Sequence, residues 1–377
     1  MQSQAPSSTA APYLISADSH ICEPGNLWLE RAPKKFRDRV PKLVSRDDTD
    51  IWVYENGDTM SLAAFASAGD WKGRSSSNMR EAELRPAIFD PMARIEEARA
   101  DGVAAEVLYP SFAMPLYKLK DAELQVAVMR AYNDWLLEYC SAAPDKLLPH
   151  ALIPTLDIDA AVAEIQRTAK AGFRGVIINA HPLPERGYNL PLYDRLWAVL
   201  EESGLPASLH LYAGDMVRNP NDGLLISYSV EPWLVQRSLA QIIFAGVLER
   251  HPKLRFIVVE SDVGWVAQLL TRMDHVFVRK GPRYNHPLKS GMNPSDMFKR
   301  NISCVLTEDR AGVLTLEITG PEMFMWGSDY PHNDSTYPDS RQVVERVFGG
   351  VDAATRRQIL SGNAARLYGI GQPAAVS

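Results

Sequence analysis

The chain has 377 residues, 46% of them apolar and 23% charged, with a formal net charge of -6 at pH 7. Those fractions exclude a disordered or collagenous chain, and the acidic balance argues against nucleic acid as a partner, because a phosphate-binding surface needs a basic excess. A chain this long buries a core large enough to fold without a disulfide or a structural metal.

Cys22, Cys140 and Cys304 are far apart and form no CxxC pair, a usage that fits a reducing compartment. Residues 1–12, rich in Ser, Ala and Pro, read as a flexible tail without the basic start or apolar stretch of a signal peptide. No apolar run approaches the roughly 20 residues of a membrane helix. The expectation is a cytoplasmic protein with a small-molecule substrate, no nucleic-acid or membrane partner, and a homodimeric assembly.

From Tyr13 onward, short apolar runs bounded by Gly, Pro, Asp or Asn alternate with helical stretches. The predicted strands are Tyr13–Asp18, Ala104–Tyr109, Leu148–Ile153, Arg174–Asn179, Pro206–His210, Leu254–Glu260, Ile302–Thr307 and Met323–Ser328. Asp90 before Pro91 predicts a capped helix start, Asp157–Ala171 has apolar residues at helical spacing and stops at Gly172, and Leu190–Ser203 stops at Gly204. Strand–helix alternation of this kind predicts a single α/β (β/α)₈ barrel over residues 13–377 rather than an open sheet. Residues 23–89 interrupt the rhythm after the first strand and read as an insertion, part small β-structure and part lid; Ala213–Ser229 reads as a second mouth loop.

In such a barrel, the site forms at the C-terminal ends of the strands. Asp18 and His20 stand at i and i+2, on one face of the first strand. His181, His210 and Glu260 fall at or just after later strands, Asp329 follows the last, and Glu308 and Asp309 follow the seventh. Imidazole and carboxylate donors converging from several strands suit Zn²⁺, Mn²⁺ or Fe²⁺. Any one of these residues has an ordinary reading too: a strand-end turn for Asp18, a packed imidazole for His20 or His210, a turn cap for Asp329, a salt bridge to a core Arg for Glu260. His251 reads as a helix-end residue, Cys22 as a small core residue, and His150, His275 and His286 as surface. Most tryptophans read as core, with Trp71 a lid contact. No P-loop, GxGxxG after a strand or GxSxG elbow is present.

The segments SADSHICEP, DPMARIEEARADGVAAEVLYP, GFRGVIINAHP, SLH, ERHPKLRFIVVESDVGW, WGSDYPHNDSTYP and SGNAARLYGI together resemble the amidohydrolase superfamily, in particular the amidohydrolase-related group that includes metal-dependent decarboxylases. The resemblance runs from about residue 13 to the end. It implies metal ligands at Asp18, His20, His210 and Asp329, with Asp329 also the general base. Asp18 stands where the family's first His would be, and Glu260 where a strand-six His is common. Both changes add carboxylate, which favours a dinuclear centre and makes Glu260 a further ligand or catalytic group. Glu23, His181 and His332 are candidates for substrate or second-metal contact.

What the resemblance implies is one or two divalent ions (Zn, Mn or Fe) and a small cyclic or aromatic carboxylated substrate. Hydrolysis leads, with metal lowering the pKa of a bound water toward roughly 7. The alternatives are non-oxidative decarboxylation, a dinuclear Fe or Mn/Fe oxygenase, and a non-catalytic metal-binding partner subunit.

Overall fold

The computed structural model describes residues 13–69, 78–214, 221, 223–284 and 286–371. The N-terminal tail and Trp71 lie outside them, as does part of each predicted mouth loop. In chain order the strands are β1 (Leu14–Ile21), β2 (Lys42–Arg46), β3 (Thr49–Val53), β4 (Thr59–Ser61), β5 (Val103–Pro110), β6 (Leu147–Leu152), β7 (Gly175–Ile178), β8 (Ala207–His210), β9 (Phe256–Val259), β10 (Ile302–Leu306) and β11 (Phe324–Trp326). Strands β1 and β5 to β11 form one eight-stranded sheet in that order, with every pairing parallel. These are the eight predicted strands, with ends shifted by a few residues at most, and the architecture is the (β/α)₈ barrel.

The local chemistry explains the alternation. Strands β6 to β9 are buried at every position, as strands covered on both faces must be. Along the chain, Asp90 and Asp157 cap helices Pro91–Asp101 and Ile158–Ala171 by accepting from two backbone amides each. Gly102 and Gly172 end those helices at φ +90° and +96°, a turn that a side chain would strain. Among the described residues, no helix is long and apolar enough to cross a membrane.

The inserted segment after β1 carries an antiparallel sheet, β2–β3–β4, and a short helix, Leu62–Ala66. It packs at the mouth: the Asn333 amide donates to Ala64 O at 3.1 Å, the Ala68 amide to Pro331 O at 3.1 Å, and Tyr54 Oη to Phe112 O at 2.6 Å. In the second mouth loop the described part forms helix Leu224–Val230.

Two expectations are corrected. His150 is not a surface residue; it lies on β6, fully buried, with Nδ1 3.1 Å from Ser208 Oγ and its ring edge-on to Tyr109. Burial pushes its pKa down to about 3, so it stays neutral. It pairs with Gly175 on β7, where a Cβ would come within 2.4 Å of the imidazole; the ring fills the space a side chain would take. Trp233 departs from the core reading and is about half exposed, whereas Trp28 and Trp326 are fully buried.

Candidate metal centre

The C-terminal rim gathers six ionisable side chains into one cluster. Asp18 and His20 project from β1, His210 ends β8, Glu260 follows β9, and Asp329 and His332 follow β11. They form two donor groups that share His20: Asp18, His20 and His210, and His20, Glu260, Asp329 and His332. Within the first, His20 Nε2 is 3.2 Å from His210 Nε2 and 3.5 Å from Asp18 Oδ1. Ligands about 2.1 Å from a common ion are separated by about 3.0–3.4 Å in octahedral or tetrahedral geometry, so these spacings match donors aimed at one cation. In the second, His20 Nε2 lies 3.3 Å from Glu260 Oε1 and 3.4 Å from Asp329 Oδ1. His332 Nδ1 is 3.0 Å from Asp329 Oδ1 and 3.4 Å from Glu260 Oε1.

Electrostatics and hydrogen bonding both call for a cation. Asp18 Oδ2 and Glu260 Oε2 are buried with no hydrogen-bond partner, an expensive state for carboxylates unless an ion satisfies them. Burial, reinforced by His332, pushes the His20 imidazolium down, yet Asp18 and Glu260 outweigh both and hold its pKa at about 9. Burial would also raise Asp18 and Glu260, but the histidines keep both carboxyls below their ordinary values. Asp329 goes the other way: burial and the neighbouring Glu260 charge hold it well above the usual carboxyl range. Without a metal, protons do the neutralising. The donor set and its orphaned atoms therefore fit a divalent ion.

Backbone strain concentrates here too. Glu260 and Asp329 adopt φ +53° and +58°, and Asp262 +46°, left-handed values that cost a non-glycine residue of order 1–3 kcal/mol and cluster at functional sites. Surrounding bonds enforce them. The Asp329 amide donates to Asp18 O at 2.8 Å, and Asp309 accepts from the Val263 amide at 2.7 Å and from the Gly264 amide. Asp309 thus braces the turn after Glu260 and Glu308 pairs with Arg346, so neither enters the cluster.

The remaining candidates separate. Glu23 stands apart: Oε2 and Oε1 accept from the Phe112 and Ala113 amides at 2.8 and 2.9 Å. His181 is also outside the two donor groups, with Nε2 2.9 Å from Leu211 O. Cys22 is buried, as expected, and His251 sits at a helix end against Glu201. Sequence reasoning missed Arg94. Fully buried, it grips both Glu106 oxygens at 2.9 Å and donates to His20 O at 2.7 Å, with its guanidinium over the Tyr330 ring. The signal was available, since an Arg on the apolar face of helix Pro91–Asp101 needs a buried acid.

A parallel barrel with imidazoles and carboxylates around an ion site at its mouth defines the class of metal-dependent barrel enzymes. The chain belongs to the amidohydrolase family, whose sequence pattern matches residues 38–370. A gamma-resorcylate decarboxylase from Rhizobium sp. (strain MTP-10005) is 28% identical over 292 residues, 71% of this chain and 82% of that enzyme. Among solved structures, an amidohydrolase from Mycobacterium avium subsp. paratuberculosis K-10 superposes with a TM-score of 0.76 at 21% identity, covering 94% of this chain and 99% of that one. A 5-carboxyvanillate decarboxylase from Novosphingobium aromaticivorans, crystallised with manganese and a nitrobenzoic acid, gives 0.69 at 17% identity, covering 96% and 98%.

Proposed function

We propose that this protein is a divalent-metal-dependent decarboxylase of a small aromatic carboxylate. The observation that carries the reading is the likeness, over 71% of the chain, to an enzyme named gamma-resorcylate decarboxylase, combined with a cluster suited to an ion at the C-terminal end of this barrel. Hydrolysis, which the family resemblance put first, ranks behind decarboxylation because the relatives' names point to loss of CO₂.

Asp18, His20, His210 and Asp329 would hold the ion, with Glu260 completing or bridging the set. A bound divalent ion supplies the positive charge that anchors a carboxylated substrate and accepts electron density as the bond to CO₂ breaks. The protein's own contribution is a proton. Replacing a ring carboxylate by hydrogen consumes one proton, and Asp329 and His332, 3.0 Å apart, are the pair placed to hold and deliver it. Tyr109 against His210 and Phe65 against His332 give the site apolar walls that strengthen each charge.

Glu260 supports a second reading. It puts an anion where a strand-six His is common. A carboxylate there could bridge two ions, as in a dinuclear centre of the kind that activates O₂, although His20, common to both donor groups, would ligate only one of them.

The test is turnover of hydroxybenzoates by protein loaded with Mn²⁺ or Zn²⁺. One CO₂ per ring lost, with no O₂ consumed, is the expected result. Iron-dependent O₂ uptake would move the assignment to the oxygenase reading, and cleavage of amides or lactones without CO₂ would move it to hydrolysis. Absence of any turnover by the isolated, metal-replete chain would favour a partner-subunit role.

A further inference from the structure

Glu23 entered as a candidate ligand, yet both of its oxygens are spent on the backbone amides of Phe112 and Ala113. The carboxylate is buried, so this bidentate grip fixes the turn that leaves β5. The same turn touches two members of the cluster. Pro110 O lies 2.9 Å from His20 Nδ1, and Ser111 Oγ lies 3.2 Å from His332 Nε2. Further bonds hold the turn from either side: the Ser111 amide donates to Ile21 O at 3.0 Å, and Tyr54 Oη donates to Phe112 O at 2.6 Å.

A carbonyl oxygen only accepts. His20 Nδ1 must therefore carry a hydrogen, which leaves Nε2 as the atom that faces Asp18, His210, Glu260 and Asp329. Ser111 occupies Nε2 of His332 and so turns its Nδ1 toward Glu260 and Asp329. The two rings lie 3.8 Å apart, and each meets the turn through the nitrogen remote from the cluster. A shift of residues 110–112 would disturb both rings together.

We infer that Glu23 is a positioning residue: by clamping residues 112 and 113 it sets the ring orientation of His20 and His332 and the tautomer of His20, with Ser111 as the intermediary to His332 alone. The inference rests on the metal-centre reading and not on which reaction that centre runs. Groups of this kind, one shell out from a metal, change affinity by roughly 10–100-fold when altered.

Glu23→Gln keeps the shape but offers one acceptor for two amides, and Ser111→Ala removes the hydroxyl without touching the clamp. Imidazole nitrogen NMR on the metal-free protein reads the protonation and hydrogen bonding of each ring nitrogen, and competition with a chelator for Mn²⁺ reads affinity. Glu23→Gln should alter the nitrogen signals of both His20 and His332 and weaken Mn²⁺ binding by roughly 10–100-fold. Ser111→Ala should alter His332 only, and Ser111→Thr, which restores a hydroxyl, should return it. If Glu23→Gln does not fold, Glu23→Asp replaces it, with the same signals expected to move. Unchanged signals and affinity within twofold in folded Glu23 variants would overturn the inference. A wild-type protein that binds no Mn²⁺ would instead remove the metal-centre reading, while the nitrogen signals would still decide whether Glu23 orients the two rings.

Discussion

The amide of Asp329 donates to the carbonyl of Asp18 across 2.8 Å, so two proposed ligands are also joined through their backbones. Among the described residues no ladder pairs β11 with β1. The barrel closes there through this bond, the His20 amide to Tyr330 O at 2.6 Å, and a cluster of Ser16, Ser19 and Ser328 hydroxyls at 2.8–3.1 Å. An ion held by Asp18, His20 and Asp329 would tie the same seam from the side-chain side. Stripping it with a chelator should lower the thermal midpoint, and added Mn²⁺ or Zn²⁺ should restore it. An ion at 100 times its dissociation constant contributes about 2.7 kcal/mol. His210→Ala should abolish that response; an unchanged metal-dependent shift would remove His210 from the ligand set.

Glu260 offers a contrast between stability and binding. Glu260→Gln keeps the side-chain shape and removes the charge, so Mn²⁺ affinity measured by calorimetry should fall at least about tenfold. Glu260→Gly should bind still less well, yet the metal-free Glu260→Gly should be more stable than metal-free Glu260→Ala by on the order of 1 kcal/mol, because only glycine relieves the left-handed φ. Equal urea midpoints for metal-free Glu260→Gly and Glu260→Ala would show that the conformation carries no strain.

His150 links burial to acid sensitivity. Its folded pKa is depressed to about 3, below the unfolded value of about 6.5. The contribution is therefore complete above pH ~6.5 and is lost as pH falls toward 3. At pH 5 the loss is on the order of 2 kcal/mol. His150→Gln cannot titrate, so its urea stability should change less between pH 7.5 and 5 than the wild type's. Parallel curves for the two proteins would show that His150 is not a source of acid lability.

Arg94→Met should be severe, because it strands Glu106 in the interior and releases His20 O. Removing one partner of a buried pair costs about 3–5 kcal/mol. Arg94→Met combined with Glu106→Leu should recover part of that loss in chemical denaturation. Metal affinity should stay low in the double variant, since the bond to His20 O is still missing. Wild-type affinity in the double variant would separate Arg94 from the site.

The barrel was legible because each buried parallel strand leaves a short apolar run closed by turn residues, and because Asp90 and Asp157 announce their helices. Asp18, His20, His210, Glu260 and Asp329 were legible by the same logic, as strand-end donors. Other residues depend on contacts that no local pattern encodes. Glu23 resembled a ligand because its true partners, two amides, lie about 90 residues further on. His150 was misplaced because its burial depends on Ser208 and on the empty side of Gly175, both on other strands. His332 sits in an irregular loop, where no periodicity marks which way a ring turns.

The seam also dictates an order of events during synthesis. Ser16 and Ser328, whose hydroxyls meet at its centre, are 312 residues apart. At ribosomal rates of about 5–20 residues per second, the first ligands wait roughly 15–60 s for the last to emerge. The complete site cannot therefore nucleate folding. A site that includes Asp329 would be complete only once the last strand has joined the first.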